Sequence, residues 1–154
     1  MAEMKGVVTG VVIDVSDPDH QGRVQVGFPW LGGQNESYWA PVASFISGPN
    51  RGAWFMPEEG DEVLVAFQQN DTAHPCVIGF LWNGKDRPPE SDPTMRVLLT
   101  PGGHTLRFED GNSKRVVLKS SSGQTIILDD SDGSITLQGG SRILKLSNGL
   151  VQIT

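Results

Sequence analysis

Short apolar runs alternate with turn residues along the whole chain, and no run carries a sustained helical period with caps. Five runs stand out in the first half: residues 6–15 (GVVTGVVIDV), 22–30 (GRVQVGFPW), 37–45 (SYWAPVASF), 62–68 (EVLVAFQ) and 75–82 (PCVIGFLW). They are rich in Val, Ile, Phe and Trp and partly alternate, as half-buried strands do. Turn signals separate them: Asp17-Pro18-Asp19, Gly32-Gly33, Gly48-Pro49-Asn50, Asn70-Asp71 and Asn83-Gly84. Five strands in about 80 residues predict a small closed barrel, because closure removes exposed sheet edges.

Residues 86–93 (DRPPESDP) hold three prolines in a polar setting, which resists sheet pairing and stiffens the chain. This divides the chain into a barrel at 1–85, a joint at 86–95 and a second part at 96–154. The second part repeats. HTLRF at His104, KRVVL at Lys114, QTIIL at Gln124, SITLQ at Ser134, RILKL at Arg142 and LVQIT at Leu150 align at spacings of about ten and then about eight residues. Gly111, Gly123, Gly133, Gly140 and Gly149 punctuate them.

Alternation predicts the inward side chains of each unit. These are Leu106 and Phe108, Val116 and Leu118, Ile126 and Leu128, Ile135 and Leu137, Leu144 and Leu146, and Val151 and Ile153. Val117, Ile127 and Ile143 blur that register. Some twelve inward side chains cannot close a globular core alone. Three copies wound about a common axis, each supplying one strand in turn, meet the shortage. The alternative is one antiparallel meander packed on the first part.

Composition agrees with many short strands. The apolar fraction is 37%, and 19 Gly and 10 Pro require frequent turns. The one cysteine, Cys76, permits no intrachain disulfide. No apolar run approaches the roughly 18 residues of a membrane span, and the start, MAEMKG, lacks the form of a signal peptide. Synthesis in the cytoplasm is the expectation. The net charge of −6 is unevenly placed, −7 through Thr100 and +1 beyond, and an acidic first part is a poor footprint for nucleic acid.

The strongest local signal runs from Ser16 to Trp30 (SDPDHQGRVQVGFPW). There Asp17-Pro18 precedes Gly22-Arg23-Val24, and Phe28-Pro29-Trp30 ends the strand. Trp39-Ala40 follows, then Gly52 with Trp54 and Pro57, then Gly60-Asp61-Glu62-Val63-Leu64-Val65, and His74-Pro75 with Gly79. In order and spacing this series resembles the N-terminal OB-fold module of contractile-tail spike proteins. These are the VgrG proteins of type VI secretion, the phage baseplate assembly protein V family and the spikes of extracellular injection particles. The resemblance covers about residues 5–87.

It implies an all-β fold: a five-stranded OB-fold barrel followed by an intertwined trimeric β-helix or β-prism needle. It also implies a mechanical role. A homotrimer sits under the hub and inner tube and is driven through the target cell envelope when the sheath contracts. Some members insert a lysozyme domain between barrel and needle, and here only the joint lies between. VgrG proteins carry hub domains before the OB module. Here the module comes first, so a hub protein on a separate chain is expected, and a phage tail, pyocin or extracellular particle before type VI secretion. Related spikes are sharpened by a PAAR-like tip protein. The expected plateau for it is Leu150, Val151, Gln152, Ile153 and Thr154.

Candidate chemistry is thin, and no enzyme activity or cofactor is expected. His20, His74 and His104 match neither HxxxH nor HxH spacing. His74 before Pro75 reads as a turn residue. Asp129-Asp130-Ser131-Asp132-Gly133 faintly resembles a calcium loop but lacks its later Glu. Glu58-Glu59 and Asp61-Glu62 read as a solvated turn, and Cys76, with no local His, as a buried strand residue rather than a nucleophile. An OB barrel also raises single-stranded nucleic-acid binding, through Trp30, Trp39, Trp54 and Trp82. That function needs a basic groove, which an acidic barrel does not supply.

Overall fold

The computed structural model describes residues 6–31, 36–147 and 149–153, with the side chain of Leu150 excepted. Gly32-Gly33 and Thr154 lie outside the described residues. Two compact units divide after Arg87, inside the Pro-rich stretch. No α-helix occurs among the described residues.

The first unit contains β1 (Val7–Asp14), β2 (Arg23–Gly27), β3 (Ala40–Pro41), β4 (Ser47–Gly48), β5 (Arg51–Gly52), β6 (Glu62–Phe67) and β7 (Pro75–Phe80). Five of them form one sheet in the order β3-β2-β1-β6-β7. A parallel bridge between Val42 and Val77 joins its two ends, and the Ala43 N–H donates to the Val77 carbonyl at 2.8 Å. The result is a nearly closed five-stranded barrel with the connectivity of an OB fold.

Its interior follows from alternation. Val24 and Val26 on β2, and Val63, Val65 and Phe67 on β6, point inward at every second position. Val12, Ala40, Phe28 and Val77 complete the buried core. Six of these are fully buried valines, each worth about 1.5–3 kcal/mol relative to exposure. Gly10 lets β1 and β2 approach closely: a Cβ there would lie 2.3 Å from Val26 Cγ1 and 2.9 Å from the Gly27 carbonyl.

The third predicted strand, 37–45, is mostly irregular. Only Ala40–Pro41 is ladder-paired, because Pro41 has no N–H with which to extend the ladder. The small hairpin β4–β5 was read from sequence only as a turn.

The second unit holds β8 (Met95–Leu99), β9 (Thr105–Asp110), β10 (Lys114–Lys119), β11 (Thr125–Asp129), β12 (Ser134–Gly139), β13 (Arg142–Ser147) and β14 (Leu150–Ile153). They form one seven-stranded antiparallel sheet in simple sequential order. The six expected strands are joined by a seventh, β8, inside the MRVLL run.

The expected interleaving, in which each chain supplies one strand in turn, is not how the backbone pairs. Every ladder of this sheet is filled by the neighbouring strand of the same chain. The physical reason lies in the turns. Gly123 (φ 95°) and Gly133 (φ 64°) adopt the left-handed conformation that lets short connections reverse the strand on its neighbour.

Gly10→Ala should destabilise the barrel by roughly 1–3 kcal/mol through overpacking against Val26 and the β2 backbone. Thermal unfolding monitored by near-UV circular dichroism reads the loss. An unchanged midpoint would show that β1 and β2 can separate freely.

Candidate functional site

The register of the second sheet sorts its side chains into two faces. Residues directly opposite in a ladder share a face, as do residues two apart along a strand. One transverse row runs Leu98, Leu106, Leu118, Ile126, Leu137, Leu144, Ile153. The next runs Arg96, Phe108, Val116, Leu128, Ile135, Leu146, Val151. All twelve side chains read as inward from sequence therefore lie on one face, in two adjacent rows.

No layer of the second unit covers that face. Leu118 is 49% exposed and Ile153 79%. Leu118, Ile126, Leu137, Leu144 and Ile153 line a shallow apolar depression on it. Every buried apolar side chain among the described residues belongs to the first unit. A contiguous apolar surface of this kind marks an interaction site.

The opposite face carries most of the polar side chains and several ion pairs, although Arg107 Nε and Thr125 Oγ1 are buried there without a hydrogen-bond partner. Val117 and Ile127 lie there beside Arg107, Thr136, Lys145 and Gln152, and Ile143 lies there opposite Gln138. Glu109 is buried between Arg107 at 3.3 Å and Arg115 at 2.8 Å, and Arg107 also reaches Glu90 at 3.1 Å. Lys145 pairs with Asp132 at 2.9 Å. Hydrogen bonding to Ser134, then to Lys145, pulls the Asp132 carboxyl down to about 2. Of the plateau residues, Val151 and Ile153 belong to the apolar face and Gln152 to the other. Thr154 and the Leu150 side chain lie outside the described residues.

The barrel residues singled out from sequence do structural work. Asp17 is buried and organises its loop. Its carboxylate accepts the backbone N–H groups of Asp19, Gln21 and Arg23 at 3.1, 2.7 and 3.2 Å, and the Arg23 guanidinium at 2.6 Å. Arg23 also reaches Asp19 at 2.6 Å. The Arg23 pairing, with those backbone donors, holds the Asp17 carboxyl well below the usual carboxylate range.

Gly22 has a left-handed backbone (φ 72°), and a Cβ there would press on the Trp54 ring at 2.9 Å. Phe28 packs in the core, edge-on to Trp30 at 6.1 Å, and Pro29 opens a 3₁₀ turn. The Trp30 indole N–H donates to the Thr9 carbonyl at 2.8 Å. Trp39 is half-buried, and Pro57 and Pro75 are buried. Gly60 takes φ 99° in the turn where its N–H donates to the Val12 carbonyl at 2.8 Å, and the Asp61 carboxylate accepts the Glu58 N–H at 2.9 Å. Gly79 faces Leu64 at the β6–β7 irregularity.

His74 closes a turn on Asp71, with Nδ1 3.0 Å from the carboxylate. Asp129 and Asp132 are engaged by the N–H groups of Ser131 and Ser134 in the β11–β12 turn. Burial pushes the Cys76 thiol up. No group of three or more His, Cys, Asp and Glu is placed to hold a metal among the described residues.

With barrel and face described, the comparisons decide the family. Residues 8–82 match the type VI secretion system/phage-baseplate injector OB domain. Through this barrel the chain belongs to the VgrG-like baseplate spike family. The type VI secretion system spike protein VgrG5 of Pseudomonas aeruginosa is 39% identical over 117 residues, covering 68% of this chain and 15% of that protein. VgrG4b of the same organism is 32% identical over 123 residues, covering 71% and 15%. The actin cross-linking toxin VgrG1 of Vibrio cholerae is 32% identical over 111 residues, covering 64% and 10%.

The matches thus span only 10–15% of the lengths of these relatives. They are also longer than the first unit, which ends at Arg87, so they continue into the sheet. No helix among the described residues is long and apolar enough to cross a membrane. The single-strand-binding alternative is not favoured, since Trp54 and Trp82 stand exposed on an acidic barrel without a basic groove.

Asp17→Asn should lower the melting temperature at neutral pH, because the Arg23 guanidinium loses its charged partner. Asp17 has a depressed folded pKa, so its contribution is full above the unfolded value near 3.9 and is lost as pH falls below it. The gap in melting temperature between wild type and variant should therefore shrink from pH 6 to pH 3. A gap independent of pH would exclude the charged pair as its cause.

Proposed function

We propose that the chain is the structural central spike of a contractile injection machine and works as a homotrimer. Three sheets turn their two-row apolar faces toward a common axis, and the polar faces with the Glu109–Arg115 pairs look outward. The observation that carries this reading is an injector-family barrel joined to a sheet whose apolar face nothing in its own unit covers. Burying that face is worth roughly 25 cal/mol per Å² of apolar surface. Ladders within each chain and apolar packing between chains make a stiff three-sided needle with no need of an active site.

In this reading the barrel docks under the hub of the machine. Strand β14 presents apolar side chains to a small PAAR-like tip protein. Val151 and Ile153 supply its apolar contacts. The spike is made in the cytoplasm and assembled into the baseplate of a phage tail, a pyocin or an extracellular injection particle. Sheath contraction drives it through the target envelope. It is not an enzyme and takes no cofactor.

Two adjacent residues test the face. Ile126→Asp would bring three carboxylates together near the axis without partners, so assembly should be lost at micromolar concentration. Ile127→Asp, on the polar face, should assemble like wild type. Sedimentation velocity separates these outcomes. An Ile126→Asp protein that sediments as wild type would overturn the three-sided needle.

A further inference from the structure

The connection from β3 to β6 throws out a small arm. Ser47 and Gly48 on β4 pair with Gly52 and Arg51 on β5, and Asn50 turns the chain with φ 56°. Below that ladder the Ala53 N–H donates to the Ile46 carbonyl at 3.0 Å. The Ser44 hydroxyl lies within hydrogen-bond distance of the Ile46 and Ala53 carbonyls, at 3.0 and 2.9 Å. These contacts hold a defined shape with a wet apolar surface. Phe45 is 84% exposed and Trp54 74%, and Phe55 stacks near Phe45 at 6.2 Å. The arm also carries positive charge and no negative. Arg51 is the only charged residue in 42–57, against four Lys/Arg and eleven Asp/Glu elsewhere in residues 1–87, a net of −7 there. Among the described residues Arg51 makes no ion pair.

The same barrel carries a surface of matching chemistry. Phe80 at the end of β7 and Trp82 just beyond are both exposed, Trp82 at 70%. Glu62 lies beside them, since Val63 pairs with Phe80 and the Leu81 N–H donates to the Glu62 carbonyl at 2.9 Å. Asn83 links this strand end to two carboxylates, donating to Glu62 at 3.0 Å and to Asp86 at 3.2 Å. Neither carboxylate has a cationic partner among the described residues. Within one chain Phe45 and Trp82 both stay uncovered, so arm and surface do not satisfy each other in cis.

We infer that the arm of one copy docks on the Phe80–Trp82 surface of the next. Phe45 and Phe55 meet the aromatics, and Arg51 meets Glu62 and Asp86. This deepens the spike reading and rests on its assembly of several copies. The occupant is a second copy because each chain carries one arm and one complementary surface. A contact of that kind is head-to-tail, and it closes into a ring when the copies surround an axis. Electrostatics point the same way. Barrels of net −6 gathered about one axis repel, and a cation inserted into each neighbour's acidic surface offsets that repulsion where the barrels touch.

Site-directed cross-linking of the full chain tests the contact. In a Cys76→Ser background, Phe45→Cys and Trp82→Cys place one thiol on each surface, and both positions are exposed enough to leave the fold intact. A short bismaleimide should then give covalent species of two and three chains. Neither cysteine alone should do so, and co-expressing the two single-cysteine chains should give covalent dimers. Adding Arg51→Glu should cut the yield several-fold while the assembled mass is unchanged. Light scattering on the same samples separates the two ways to fail. A three-chain mass with no interchain product from the double-cysteine chain would overturn the arm contact and leave the needle standing. A one-chain mass would overturn both.

Discussion

A sheet with one face of Leu, Ile, Val and Phe must have something laid over that face, and the second unit supplies nothing of its own. Other features follow from this constraint. The strands can be short, because each needs to offer only two apolar side chains to the face. The turns can be tight and repetitive, because no segment has to cross over and form a second layer. The opposite face can be salt-bridged and wet. Glu109 between Arg107 and Arg115 is the clearest case, a carboxylate hidden under the cations that neutralise it. One face is thus paired off in large part by its own side chains, and the other is left open by its own unit.

The barrel solves the burial problem in the opposite way. Its sheet curls until Val42 meets Val77, and nine small or aromatic side chains fill the inside. Gly10 sets how closely β1 and β2 approach, and the Asp17–Arg23 clamp holds the loop between them. A self-sufficient barrel is thus followed in the chain by a sheet whose apolar face its own unit leaves open. The family match over residues 8–82 falls within the barrel.

Much of this was legible in the order of residues. Alternation in β2 and β6 named the barrel interior. The spacing of the second-half runs named two inward side chains for each of six strands, and the ladder puts them on one face. What was not legible has physical reasons. Pro41 removed a donor, so a nine-residue run of apolar character pairs over only two residues. The β4–β5 arm was invisible because Gly-Pro-Asn-Arg-Gly signals a turn and two-residue strands leave no alternation to read. MRVLL was passed over because it sits beside the prolines and lies one strand before the Gly-punctuated repeat. Pairing within the chain rather than between chains is a property of hairpin turns. An apolar count reports that a core is missing, but it cannot say which backbone fills which ladder. Short motifs were a surer guide in the barrel, where Gly22 under Trp54 and Gly60 in its turn are each required by a left-handed backbone.

The central claim concerns how many copies it takes to bury the two-row face. Size-exclusion chromatography with multi-angle light scattering on the intact chain measures this directly. The account predicts a single species at three times the 16.6 kDa chain mass, maintained on dilution to micromolar concentration. A stable species at the mass of one chain, with Leu118, Ile126 and Ile153 left in water, would contradict it.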